Sequence, residues 1–257
     1  MFGKILKYSM ISVIWLGIWQ IGAMLVAKPL LLPTPVAVAE RLVALGLTAD
    51  FYEIIFYSIV RIILGMIIGT LIGVLGGALS ARFRAVKDFF APILAIVRSI
   101  PVASFIILLV LWMSRDITPL IIALMMVTPI VWINVESGIK NTDPALIEMA
   151  KVYKMSPWAM IKYIYLPSVT PYFLAGLRSS LGMAWKAGIA AEVLLQPMIS
   201  IGKMISDSKL TLETTDLFAW TVVVIVLSVL IERVMILIFN LATKNGPVGK
   251  DGGVANA

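Results

Sequence analysis

Apolar positions gather into six long runs separated by short polar connections: about 8–27, 57–81, 89–113, 117–135, 169–195 and 217–241. A hydrocarbon layer takes roughly 20 residues of helix to cross. Each run is therefore expected to form one membrane span, giving an all-α membrane fold of about six transmembrane helices with both termini on one side. The third run carries Pro92, Arg98 and Pro101 in its first half. Proline leaves backbone carbonyls unpaired where lipid supplies no donor, so that half is expected to be a short or broken helix covered by protein. The first run follows Lys4 and Lys7 but is longer than a secretory signal core and has no small-x-small exit, so it reads as a retained span. Residues 1–243 are expected to form a single transmembrane domain and 244–257, rich in Gly, Ala and Asn, a disordered tail.

Composition agrees with a polytopic membrane protein: 61% of the 257 residues are apolar and 14% charged, against about 45–50% and 25% in soluble domains. Cysteine and histidine are both absent, which removes disulfides, thiol chemistry, thiolate or imidazole metal sites and histidine acid–base catalysis. The net charge of +7 comes from basic residues dispersed between apolar runs, a pattern of membrane orientation that argues against a nucleic-acid partner. Eleven Lys and Arg fall on the connections shared with the termini and five on the others. Cytoplasmic connections carry the excess of positive charge, so both termini are expected inside.

Polar residues within the spans are costly and mark function by default. In the fifth run Arg178, Trp185 and Glu192 are seven apart, so they drift by only about 20° per step around a helix. Lys186 lies about 80° round from Arg178. The preferred reading places Trp185, Lys186 and Glu192, with Arg178, beside a translocation pathway where Lys186 attracts a polar or anionic solute. Buried structural ion pairs with Glu136 or Glu192 are the alternative. Gly65, Gly69, Gly73 and Gly77 recur at i, i+4 in the second run, a stripe without side chains that lets another helix pack closely.

The longest inward connection, about 141–167, reads as two short capped helices. Thr142 or Asp143 caps the first ahead of Pro144, Ser156 caps the second ahead of Pro157, and Leu146, Ala150 and Tyr153 are expected to share one face. This segment resembles the cytoplasmic loop of ABC-importer permeases, whose pattern is Glu-Ala-Ala, three residues, Gly, nine residues, Ile-x-Leu-Pro. Glu148, Ala150, Ile164, Leu166 and Pro167 stand at matching positions, while Met149 replaces the first Ala and Lys154 the Gly. The Lys154 departure implies a less sharp turn after the first helix. Leu32-Pro33-Thr34-Pro35, Ser58-Ile-Val-Arg61, Arg98-Ser-Ile-Pro101, Ala190-Ala-Glu192-Val and Thr215-Asp216-Leu-Phe-Ala219 are similar to segments of the aliphatic-sulfonate, taurine and nitrate permeases and of relatives carrying thiamine-pyrimidine precursors.

The resemblance implies a type I importer permease in a prokaryotic cytoplasmic (inner) membrane, with a second permease copy, an ABC ATPase dimer and an extracytoplasmic substrate-binding protein as partners. In such permeases the loop, here Glu148, Ala150, Lys154, Ile164, Leu166 and Pro167, couples to the ATPase. No Gly-x-x-x-x-Gly-Lys-Ser/Thr loop occurs, so no cofactor is expected in this chain and ATP with Mg is left to the partner ATPase. An ion-coupled secondary transporter would instead show repeated halves with paired interrupted helices, whereas only one interrupted region is visible. A membrane-embedded enzyme would need clustered catalytic groups, and nothing at Glu136 or Glu192 resembles a catalytic signature.

Overall fold

The computed structural model describes residues 2–244, and every regular element among them is helical. The tail expected to be disordered therefore lies outside the described residues, apart from Lys244. The helices are α1 (Phe2–Val26), α2 (Pro35–Gly46), α3 (Ala49–Arg82), α4 (Arg84–Ser99), α5 (Val102–Leu109), α6 (Thr118–Lys140), α7 (Pro144–Val152), α8 (Pro157–Met160), α9 (Leu166–Leu195), α10 (Ile201–Leu210) and α11 (Thr214–Lys244). A π-helical stretch, Ile161–Tyr165, leads from α8 into α9.

Among the described residues three helices are long and apolar enough to cross a membrane, within α3, α6 and α11, and α4 with α5 makes a fourth if that bent pair is one span. The pair turns by 105°. Its break falls at Ile100–Pro101, where the chain is extended, while Pro92 sits inside α4. The interruption expected from three polar or proline positions is thus made at Pro101, because the residue before a proline is pushed out of helical geometry. α1 contributes a shorter apolar stretch, Val13–Val26. α9 has 30 residues but carries Arg178, Lys186 and Glu192, and it is not among the candidate spans.

The described residues form two compact units, one of 2–59 with 192–226, the other of 60–191 with 227–244. In the first unit α2 begins where the Thr34 hydroxyl accepts from the Ala37 N–H (3.2 Å) and Pro35 opens the helix. Arg41 forks onto Asp216 at 2.5 and 2.6 Å, tying α2 to the first turn of α11. That hydrogen bond, with the neighbouring negative charge, raises the Arg41 pKa above its ordinary value. The Trp19 indole N–H donates to the Pro33 carbonyl (3.1 Å), and the Trp19 and Phe218 rings lie 5.8 Å apart.

In the second unit the glycine stripe of α3 lies against the backbone of α6. A β-carbon at Gly69 would stand 2.7 Å from the Leu124 carbonyl oxygen, and one at Gly77 2.5 Å from that of Trp132. At Gly65 it would run into the Leu120 carbonyl, and at Gly76 into the Trp132 ring. Absent side chains let the two helices approach closely enough for the Thr128 hydroxyl to donate to the Gly69 carbonyl (3.2 Å). The Trp132 indole N–H donates to Ser80 Oγ (3.0 Å).

Candidate functional site

Two places in the second unit gather the residues that can act: the elbow between α6 and α9, and a cavity at the broken helix. In the elbow, Asp143 caps α7 by accepting from the Ala145 N–H (2.8 Å), and Ser156 caps α8 by accepting from the Ala159 N–H (3.2 Å). Ala150 and Ile164 are buried, Pro167 is half-buried, and Glu148, Lys154 and Leu166 are exposed. Leu146 and Ala150 stand at i, i+4 on α7 with Tyr153 at its C-terminal cap, and of the three only Ala150 is buried.

The turn after α7 is as tight as a glycine would make it. Lys154 adopts φ 51°, its N–H donates to the Lys151 carbonyl (3.0 Å), and the Met155 N–H donates to the Ala150 carbonyl (2.9 Å). These are the two bonds of a Schellman ending. The relaxed turn expected from the Lys154 departure is not found, because backbone bonds hold the left-handed position whatever its side chain.

The cavity, about 470 Å³, lies where the α4–α5 break meets α6 and α9, and its polar lining comes from Arg98, Asn134 and Ser179. Met125, Met126 and Met183 supply adaptable apolar walls. Pro129, also at the wall, has no N–H to give the Met125 carbonyl. A second cavity of about 300 Å³ shares Arg98 and Ile133 with the first and extends to Lys87, Glu136 and Ser137. There Glu136 Oε1 accepts from Lys140 Nζ (2.5 Å) and lies 3.1 Å from Lys87 Nζ. Both lysines are thus answered by one carboxylate, whereas Arg98 has no ion pair among the described residues.

The four charged or aromatic residues of α9 part company. Arg178 and Lys186 are exposed, and Trp185 and Glu192 are buried. Glu192, in the first unit, accepts from Ser58 Oγ (2.8 Å) and from the Gly202 N–H (3.3 Å), while Ser58 Oγ accepts from the Ile201 N–H (2.9 Å). Its carboxylate and Ser58 therefore satisfy the first amides of α10, where an acidic group also meets the positive end of the helix. Neither Arg178 nor Lys186 forms an ion pair among the described residues. Sequence reasoning passed over Arg98, Asn134 and Ser179. Arg98 stood in an apolar run beside a proline and was used only as a mark of the broken helix, although a lone arginine in such a run is itself the signal.

The described residues thus define a multi-pass, all-helical membrane protein with an elbow of two capped helices and a cavity lined by one arginine. Residues 65–244 match the family described as "Binding-protein-dependent transport system inner membrane component". Relatives include a candidate aliphatic sulfonates transport permease protein of Bacillus subtilis (strain 168), 30% identical over 221 residues, covering 85% of this chain and 79% of the relative. A taurine transport system permease protein of Escherichia coli (strain K12) is 25% identical, covering 83% and 80%. A riboflavin transport system permease protein of Chloroflexus aurantiacus (strain ATCC 29366 / DSM 635 / J-10-fl) is 31% identical, covering 85% and 84%. The chain belongs to this family of binding-protein-dependent transport components. It is a permease subunit of an ABC importer, a family whose members work with an ATPase and a solute-binding protein.

Proposed function

We propose that two copies of this chain line one pathway in a prokaryotic inner membrane, each copy crossing six times with both termini cytoplasmic. The solute is a small polar or anionic molecule, of the sulfonate, taurine or nitrate kind or a pyrimidine precursor, handed over by the extracytoplasmic binding protein. Relatives named for aliphatic sulfonates and taurine support the anionic end of that range, and the one named for riboflavin keeps a heterocycle within it. ATP and Mg belong to the ATPase dimer, and this chain itself carries no cofactor and hydrolyses nothing.

The observation that carries the reading is the elbow. Two short, sharply capped helices expose Val152, Tyr153 and Trp158 beside Glu148, an apolar and acidic surface suited to docking on the ATPase. Buried Ala150 and Ile164 make the pair rigid, so closure of the ATPase dimer is passed to α6 and α9 instead of being absorbed. Lys154 holds the turn between the two helices, and Leu166 and Pro167 open α9. The ATP-bound ATPase favours one arrangement of these helices over the other, since contacts equal in both states would shift nothing. On α9, Lys186 and Arg178 are the side chains we assign to the pathway, with Trp185 and Glu192 bracing the helix from its buried side.

In vesicles carrying the permease, its ATPase and its binding protein, Glu148→Lys is expected to cut ATP-driven uptake at least about tenfold with insertion unchanged, the loss of a charge-assisted contact. Uptake at the unaltered rate would remove the elbow from the coupling path.

A further inference from the structure

The geometry points to Arg98 as the residue that recognises the anionic head of the solute within the pathway. The inference rests on the proposed function and narrows its solute to an oxyanion, a sulfonate or carboxylate. Three observations carry it. Arg98 lines both cavities, which have only Ile133 besides it in common. Among the described residues no carboxylate answers it, while Lys87 and Lys140 nearby are both engaged by Glu136. It stands one residue from the end of α4, beside a 105° break, where the chain leaves helical geometry and opens room for a solute.

A charge in a membrane-embedded chain faces water or a partner charge, not lipid. Arg98 is exposed on the cavity side of α4 with no protein carboxylate in reach, so its guanidinium is open to a mobile anion. Guanidinium is planar and donates two parallel hydrogen bonds, which fits an oxyanion better than the point charge of an ammonium. Ser179 presents a hydroxyl to the same cavity, and Asn134 an amide of which one N–H is engaged by the Ile130 carbonyl (2.8 Å). Lys186 follows Ser179 by seven residues on α9, about two turns further along nearly the same face. Lys87 precedes Arg98 by eleven on α4, again within about 20° of the same direction. Positive charge thus continues along both helices from the cavity, and Arg98 is its unanswered member on α4.

The absence of cysteine makes a direct test available. Ser179→Cys, in the assembled importer, is reacted with 2-sulfonatoethyl methanethiosulfonate and, separately, with its trimethylammonium counterpart, and adducts on this chain are read by mass. With Arg98 present the sulfonate reagent is favoured. Arg98→Gln is expected to lower the ratio of the two rates about tenfold, the size of a unit charge at cavity distance after screening, and Arg98→Lys to keep most of it. A ratio unmoved by Arg98→Gln, a ratio carried wholly by Lys186→Gln, or a Ser179→Cys thiol inert to both reagents would each overturn the inference. Glu148→Lys in the same preparation separates the two readings, because it is expected to abolish uptake without changing the reagent ratio. Lost uptake beside an unmoved Arg98 ratio sinks Arg98 alone, and an Arg98 effect beside normal uptake in Glu148→Lys sinks the coupling elbow alone.

Discussion

Lys154 holds φ 51° where the family's loop pattern has glycine. A β-carbon there costs about 1–2 kcal/mol, and glycine gives back about 0.5–1 kcal/mol through unfolded-chain entropy. Lys154→Gly should therefore stabilise the chain by about 0.5 kcal/mol net, seen as a small rise in its thermal midpoint in detergent. The residue type at 154 was legible in the sequence, but the tightness of the turn was not, since the bonds that close it are backbone bonds of Lys154 and Met155. Glu192 teaches the opposite lesson. Its charge inside an apolar run marked it as important, and three-dimensional packing shows the carboxylate holding Ser58 and the start of α10. Glu192→Ala would leave buried donors unmet at a cost of about 1–3 kcal/mol. Glu192→Gln should lose less, because its amide oxygen still accepts, and chemical denaturation of the two variants checks the order.

At the scale of elements, the α3 glycine stripe separates positions that cannot take a methyl group from those that can. Gly69→Ala puts a β-carbon 2.7 Å from the Leu124 carbonyl oxygen, with α6 backbone rather than a movable side chain in the way. Overpacking of that kind costs about 1–3 kcal/mol. Gly182 on α9 meets nothing within 4 Å, so Gly182→Ala should be neutral or stabilising by up to about 1 kcal/mol from helix propensity. Comparing the unfolding midpoints of both variants tests the packing directly, and equal midpoints would contradict close α3–α6 contact. The i, i+4 glycine spacing announced a close approach before any partner was visible. Which helix fills the stripe was beyond the sequence, because a smooth face accepts any helix of matching shape.

For the molecule as a whole, topology is the property to measure. Tyr153→Cys sits on the exposed elbow, and in intact cells a membrane-impermeant thiol reagent should leave it unlabelled until the membrane is opened. Labelling from outside would invert the orientation argued from the Lys and Arg distribution. Mass measurement of the assembled importer should find two copies of this chain for two ATPase subunits, and a single copy would refute the shared pathway.

The all-helical membrane character, the proline-marked interruption and the cap at Ser156 were decided by sequence alone, and the cap ahead of Pro144 was narrowed to Thr142 or Asp143, because each depends on a residue's own backbone preferences or on its transfer from water to lipid. The helices α2 and α10, short and mixed in polarity, escaped that reading even though Thr34 and Ser200 cap them, since a cap without a long apolar run is a weak signal. Tertiary structure decided which charges are answered. Glu136 takes two lysines, Asp216 takes Arg41, Glu192 turns to backbone amides, and Arg98 is left facing a cavity. Electrostatic partners are chosen by distance across helices far apart in the chain, and spacing along one helix carries no record of them.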